Sequence, residues 1–223
     1  MRKFKDILRL AATHHGDEAF VLSAAENDHF RADLKTVPSD RFLATMTQCV
    51  FNAGFNWRVI AAKWDGFEAA FEGFDPHKLA FFGDEMLDRL VSDARIVRNG
   101  QKIKATLENA RFVAEVEKEL GGFGAFLSDW PADDQFGLME TLSKRGSRLG
   151  GATAQYFLRF SGWDAWITSK DVMAAFVRDG VIDKPTMTKT AMREMQASFN
   201  AYHDESGLPR AQISKVLALS VGP

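Results

Sequence analysis

A single cysteine, Cys49, in 223 residues leaves nothing to pair into a disulfide framework and too few thiols for a cysteine-rich zinc site. The chain has no need of an oxidising compartment, and cytoplasmic work is the expectation. Long apolar runs are also missing: the longest, Ala19 to Ala25, falls far short of the roughly 20 residues that cross a bilayer. Met1 to Ala12 lacks the apolar stretch and cleavage pattern of a signal peptide, so no membrane role is expected. Six prolines and no Ser/Gly-rich tract leave no linker, low-complexity segment or internal repeat. Positive charge is not in excess either, with 28 basic against 30 acidic residues and a net charge of −2. Any DNA partner must therefore be held by a local patch.

Such patches exist. Arg95 to Lys104 carries four basic residues and no acid, and Thr141 to Lys170 sets Lys144, Arg145, Arg148, Arg159 and Lys170 against Asp164 alone. Between them, Arg111 to Glu140 holds two basic and seven acidic residues, so charge is segregated along the chain. The same pattern suits a solvated helix surface. Apolar periodicity is helical: Phe42, Leu43, Met46, Cys49, Val50 and Ala53 follow Ser39 and Asp40, and Ile103, Leu107, Ala110, Val113, Val116 and Leu120 precede Gly121. Caps are expected at Asn56, Asp65, Asp75 with Pro76 behind it, and Thr168 or Ser169; Pro185 and Pro209 precede two further helices. Only Phe20 to Ser23 offers a strand signal, so the fold class is all-α. Nineteen phenylalanines supply bulky filler for short helices that cross at angles.

The segment from Leu142 to Phe160, LSKRGSRLGGATAQYFLRF, reads as helix, basic Gly-rich turn, helix. Glycine lets the backbone adopt positive φ and approach a ligand closely, and the free N–H groups opening the second helix suit an anion. Phosphate is the natural guest. Lys144, Arg145 and Arg148 beside Gly146, Gly150, Gly151 and Ala152 make this the candidate DNA-binding element.

Several segments resemble the DNA-3-methyladenine glycosylase I family of the helix-hairpin-helix glycosylase superfamily. Asn52-Ala53-Gly54-Phe55-Asn56-Trp57 is similar to the family's amide-Ala-Gly-apolar-x-Trp element, and Phe74-Asp75-Pro76 with Lys78 and Ala80 to its FDPxKxA turn. Arg89-Leu90-Val91, Asp93-Ala94, Ile96, Arg98, Lys102-Ile103, Ala105 and Asn109-Ala110-Arg111 follow in order. Lys144-Arg145-Gly146, Arg148, Gly151, Thr153 and Tyr156 then match the hairpin, for a resemblance covering residues 39 to 172. It implies a bilobal helical fold, hairpin contacts to phosphates of double-stranded DNA, extrusion of a damaged base and hydrolysis of the N-glycosidic bond of an alkylated purine such as 3-methyladenine. Trp57, at the family's pocket tryptophan, is the expected stacking partner of that base.

The chain departs from the family at specific places. Cys49, next to Gln48, stands where the family carries its base-recognising Glu, and the pocket tyrosine position falls near Asn27, with Asp28 and His29 beside it. The positions of the family's C-terminal zinc ligands hold Asp171 and Ala175, and His14, His15 and His203 lack partners at ligand spacing, so neither metal nor cofactor is expected. In the wider superfamily a catalytic Asp lies about nineteen residues beyond the lysine of bifunctional members; that lysine position is Ala152, which argues against a lyase and points to Asp171 as the acid. A register shift would put Ser169 there instead, and Asp171 also suits a plain helix-dipole role.

The expectations are an all-helical protein with a hairpin lobe over residues 51–163 and a second lobe from residues 1–50 and 164–223. A base pocket is expected between the helix ending at Gly54, the Trp57 segment and the start of the helix at Asp171, with Thr45, Gln48 and Asn52 sharing one helix flank. The first functional reading is a monofunctional DNA glycosylase. A lesion-binding protein without turnover and a helical interaction module are the alternatives.

Overall fold

The computed structural model describes residues 2–26 and 29–222, and among these residues the regular structure is helical, with no strand. The helices in chain order are α1 (Phe4–His15), α2 (Glu18–Ala24), α3 (Ser39–Asn52), α4 (Trp57–Ala62), α5 (Trp64–Ala70), α6 (Pro76–Ala80), α7 (Asp84–Ser92), α8 (Gly100–Leu120), α9 (Phe123–Ser128), α10 (Gln135–Arg145), α11 (Ala152–Ser161), α12 (Lys170–Arg178), α13 (Lys189–Ser206) and α14 (Arg210–Leu219). A 3₁₀ turn over Glu72–Phe74 separates α5 from α6.

Local hydrogen bonds explain where half of these helices start. Asn56 accepts from the Arg58 N–H, Asp75 from those of His77 and Lys78, and Ser169 from that of Val172. Each satisfies N–H groups that a helix leaves without intrahelical partners. The same chemistry overturns the strand candidate: Asp17 caps α2 by accepting from Phe20 N–H at 2.8 Å, drawing Phe20 to Ser23 into helix. Asp65, an expected cap, and Ser39, which precedes the first apolar stripe, do not cap their own helices. Asp65 lies inside the first turn of α5, and the Ser39 hydroxyl accepts from the Phe123 N–H at 3.2 Å, joining the start of α3 to that of α9.

The helices pack in two groups around one continuous apolar core. In the first, α1 and α2 meet α14, which also packs against α12 and α13, so both ends of the chain build one side of the molecule. In the second, α8 lies at the centre, contacted by α3, α6, α7 and α9, and α3 also crosses α11. The expected division at residues 50 and 51 cuts through the end of α3, whose partners lie in the hairpin group; its apolar stripe of Phe42, Met46, Cys49 and Val50 is buried there. Aromatic rings fill the angles between short helices: Trp64, Phe67, Phe71 and Phe74 stack successively, while Phe112, Phe123 and Phe126 meet edge-on.

Candidate active site

The hairpin between α10 and α11 is held from below by a buried amide. Asn109 of α8 donates to the Ser147 carbonyl at 3.1 Å and accepts from the Ser147 N–H at 2.7 Å, fixing both hydrogen-bonding groups of one loop residue. Gly146 is needed for this approach, because a Cβ there would lie 2.6 Å from Leu149 Cδ1 and 2.9 Å from the Leu142 carbonyl oxygen. Gly151 enters α11 at φ 56° and ψ −131°, a conformation open to glycine, and no side chain caps the first N–H groups of α11. Arg148 takes φ 58°, unusual for a residue with a Cβ, and its guanidinium donates to Gln101 in the first turn of α8. The two basic runs of the sequence therefore meet at this point.

The candidate DNA-binding residues are not equivalent. Lys144 and Arg148 are exposed on the hairpin surface, as are Gly150, Gly151 and Ala152. Arg145 instead turns back, pairing with Glu119 through two hydrogen bonds of 3.0 and 3.1 Å and covering the Phe112 ring at 5.0 Å. Its charge is already partnered.

A cleft opens where α3 and α4 face α11. One chamber, about 190 Å³, is walled by Cys49, Asn52, Ala53, Gly54, Trp57, Ala152, Thr153, Tyr156 and Phe160. An adjoining chamber of about 340 Å³ shares Asn52, Trp57 and Phe160 and adds His29, Thr45 and Gln48. Trp57 stands between them, 46% exposed, its ring edge-on to Tyr156 at 5.4 Å and to Phe160 at 5.9 Å. Asn52 is 7% exposed, and its Oδ1 is buried with no hydrogen-bond partner. An acceptor left so costs about 1–3 kcal/mol unless a donor is supplied. The Cys49 thiol is buried, and burial pushes its pKa up to about 12, so it faces the chamber as a neutral group. Among the described residues, neither a carboxylate nor a lysine or arginine lines either chamber.

The backbone turn that forms the chamber floor is gripped by a residue that its sequence spacing alone did not single out for the site. The Lys102 ammonium donates to the carbonyls of Phe51 and Ala53 at 3.0 and 2.6 Å and lies 4.3 Å from the centre of the Phe55 ring. A cation at the C-terminal end of α3 complements its dipole. Burial, and then the charge of Arg148, lower the Lys102 pKa. Tyr156, which the sequence offers only as part of the hairpin match, and Phe160 complete the wall: with Ala152 they form an i, i+4, i+8 stripe, which periodicity alone does not distinguish from a core-facing one.

Gln48, Cys49, Asn52 and Trp57 thus come together, whereas Asp171 is not among the walls of either chamber. It is exposed in the first turn of α12, and Ser169, the other candidate, is occupied as the N-cap. The wall expected from the start of α12 is supplied by α11. The two helices are nevertheless linked: Gln155 of α11, one turn beyond Ala152, accepts from the Thr168 N–H at 2.7 Å and donates to its hydroxyl at 2.9 Å. Asn27 and Asp28 lie outside the described residues. Among the described residues, no group of three or more His, Cys, Asp or Glu is placed to hold a metal ion.

An all-helical fold with a glycine hairpin beside an aromatic cleft defines the class of helix-hairpin-helix DNA glycosylase folds. Over most of its length the chain is similar in fold to the 8-oxoguanine glycosylase/lyase of Methanocaldococcus jannaschii, solved with DNA containing 8-oxoguanine; the match has a TM-score of 0.52 at 11% identity and covers 95% of this chain and 93% of the other. The methyladenine glycosylase profile matches residues 36–157, and the chain belongs to the methyladenine glycosylase family. DNA-3-methyladenine glycosylase 1 of Escherichia coli (strain K12) is 32% identical over 122 residues, a match spanning 47% of this chain and 65% of that protein. A variant of 3-methyladenine DNA glycosylase I solved with 3-methyladenine has a TM-score of 0.53 at 25% identity, covering 64% of this chain and 86% of its own. The chain ends therefore lie outside much of the methyladenine glycosylase match and inside the fold of the larger glycosylase.

Proposed function

We propose that this protein binds double-stranded DNA through the α10–α11 hairpin, draws a damaged purine of the 3-methyladenine type into the cleft, and hydrolyses its N-glycosidic bond. The observation that carries the reading is the cleft itself: three aromatic rings and an unpartnered buried acceptor converge one helix turn from the hairpin N–H groups. Phosphate oxygens would accept from the uncapped N–H groups of α11, with Arg148 and Lys144 adding charge. Trp57 stacks on the extruded base, and Asn52 Oδ1 accepts from an N–H on its edge. Gln48 lines the neighbouring chamber only.

An alkylated purine with a positive charge leaves readily, since the C1′–N bond breaks with its electron pair passing to the base and discharging it. Water then attacks the oxocarbenium carbon and loses a proton. Asp171, whose helix is tied to α11 through Gln155 and Thr168, supplies the carboxylate proposed to stabilise that carbon and take the proton from the water. Ala152 has no amine with which to form a Schiff base, which supports a monofunctional hydrolase.

A base-release assay on duplex DNA carrying 3-methyladenine tests this reading. Release by the parent, abolished in Asp171→Asn while duplex binding survives, is the expected result. Persistence of release at the parent rate would reduce Asp171 to a helix-end charge. Among the described residues no carboxylate lines the chambers, which favours a second reading, lesion recognition without turnover, that duplex binding with no release by the parent would select. Loss of any salt-sensitive DNA binding would leave only an interaction module.

A further inference from the structure

The cleft is larger than a methylated purine needs. A cavity of about 150 Å³ already accommodates benzene, so the 190 Å³ chamber between Trp57 and α11 is on the scale of one aromatic base. The adjoining 340 Å³ chamber has no occupant in that account. It shares Asn52, Trp57 and Phe160 with the first, so a group attached to the base could reach from one to the other along these walls.

Its walls specify what such a group would be. Trp57 and Phe160 offer apolar faces, and the His29 ring stands edge-on to Phe160 at 5.0 Å. Opposite them on α3, the Gln48 amide makes no hydrogen bond among the described residues and is half-buried. The Thr45 hydroxyl donates to the Arg41 carbonyl at 2.9 Å, which leaves its oxygen able to accept. Among the described residues no carboxylate, lysine or arginine lines the chamber, so a charged substituent would find no counter-ion there. A short alkylene chain ending in a hydroxyl satisfies every wall: its carbons lie on the aromatic rings, and its hydroxyl accepts from the Gln48 amide while donating to Gln48 or Thr45.

We infer that the second chamber is a substituent subsite, and that the cleft takes purines carrying a neutral hydroxyalkyl group as well as the methyl adduct. The inference rests on the base occupying the first chamber, as proposed above. Calorimetric titration of the full chain with three free bases tests it: 3-methyladenine, 3-propyladenine and 3-(3-hydroxypropyl)adenine. The hydroxypropyl base should bind at least as tightly as the methyl base and several-fold more tightly than the propyl base. Thr45→Phe, which fills the chamber from a half-buried position, should raise the ratio of the hydroxypropyl to the methyl dissociation constant at least ten-fold.

Binding of the methyl base with ten-fold weaker binding of the hydroxypropyl base would overturn the subsite and leave the base slot standing. An unchanged ratio in Thr45→Phe, with a folded variant confirmed by circular dichroism, would also overturn it. Equal affinity for the propyl and hydroxypropyl bases would remove the polar recognition assigned to Gln48. If none of the three bases binds, the base slot itself is wrong, and the subsite falls with it.

Discussion

At the scale of the residue, Trp57 and Cys49 occupy the same chamber and make opposite contributions. Trp57 is nearly half exposed although large and aromatic, with Tyr156 and Phe160 in T-shaped contact beside it. Stacking on a base is worth about 1–3 kcal/mol, so Trp57→Ala should weaken lesion binding or base release by about ten-fold or more, measured on DNA carrying the lesion. An effect below two-fold would make this ring ordinary packing. Cys49 is the converse, a polarisable group without charge. The thiolate is the nucleophile, and burial holds this thiol protonated up to about pH 12. Iodoacetamide at pH 8 should therefore modify the native chain at least about ten-fold more slowly than the denatured chain, read by mass spectrometry. Equal rates would mean that the chamber wall opens freely. The position was readable in the sequence because Cys49 falls on the apolar stripe of α3; Gln48 and Asn52 fall beside it on the polar flank.

At the scale of the element, the hairpin shows how much a local sequence can say and where it stops. Glycines at 146, 150 and 151 mark the turn, and the basic residues around it are plain, yet the sequence treats Lys144, Arg145 and Arg148 alike. Their roles separate only when α8 is laid underneath. Glu119 and Phe112 of α8 claim Arg145, whereas Gln101 takes one arm of Arg148 and leaves the residue exposed. Arg148→Glu should accordingly weaken duplex binding for all sequences about equally and flatten its salt dependence, because a phosphate contact contributes about one counterion to the slope. Fluorescence anisotropy over a range of salt concentrations checks this, and unchanged affinity would make the patch a solvated surface. The caps follow the same division. Asp75 and Asn56 act within four residues of themselves and are read correctly from the chain, but Ser39 is drawn to Phe123, 84 positions away.

At the scale of the whole molecule, both chain ends close against each other through buried charge. Asp179 at the end of α12 has a side chain only 1% exposed and pairs with Arg178 at 2.7 Å and Arg2 at 3.0 Å, while Arg178 also donates to the Ser220 carbonyl. Burial alone would raise the Asp179 pKa; the hydrogen bonds and charges of Arg178 and Arg2 outweigh it and hold the carboxyl below its usual value. A carboxyl depressed in the folded state stabilises it above the unfolded pKa of about 3.9, and that stabilisation is lost as pH falls through the lower folded value. Asp179→Asn should thus lower Tm at pH 7, by about 2–4 °C for each kcal/mol lost. The gap to the parent should narrow below about pH 4. Thermal melts at pH 7 and pH 3 check this, and an equal gap at both values would deny the carboxylate any charge-dependent role.

From the sequence by itself came the helical class, several helix starts and the turn chemistry of the hairpin, because caps, glycines and 3.6-residue periodicity act between neighbours within a few positions. The family-like order of motifs from residue 39 to 172 belongs to that same local record. Only the tertiary structure decided which faces meet. The cleft joins α3, α4 and His29 to α11, which lies some hundred residues further along the chain, so no local pattern distinguishes the stripe of Tyr156 and Phe160 from one that faces the core. Lys102 is one basic residue among four in its run until folding places its ammonium on the carbonyls that end α3. Burial, partner choice and cavity shape depend on contacts between distant segments, and those exist only once the helices have packed.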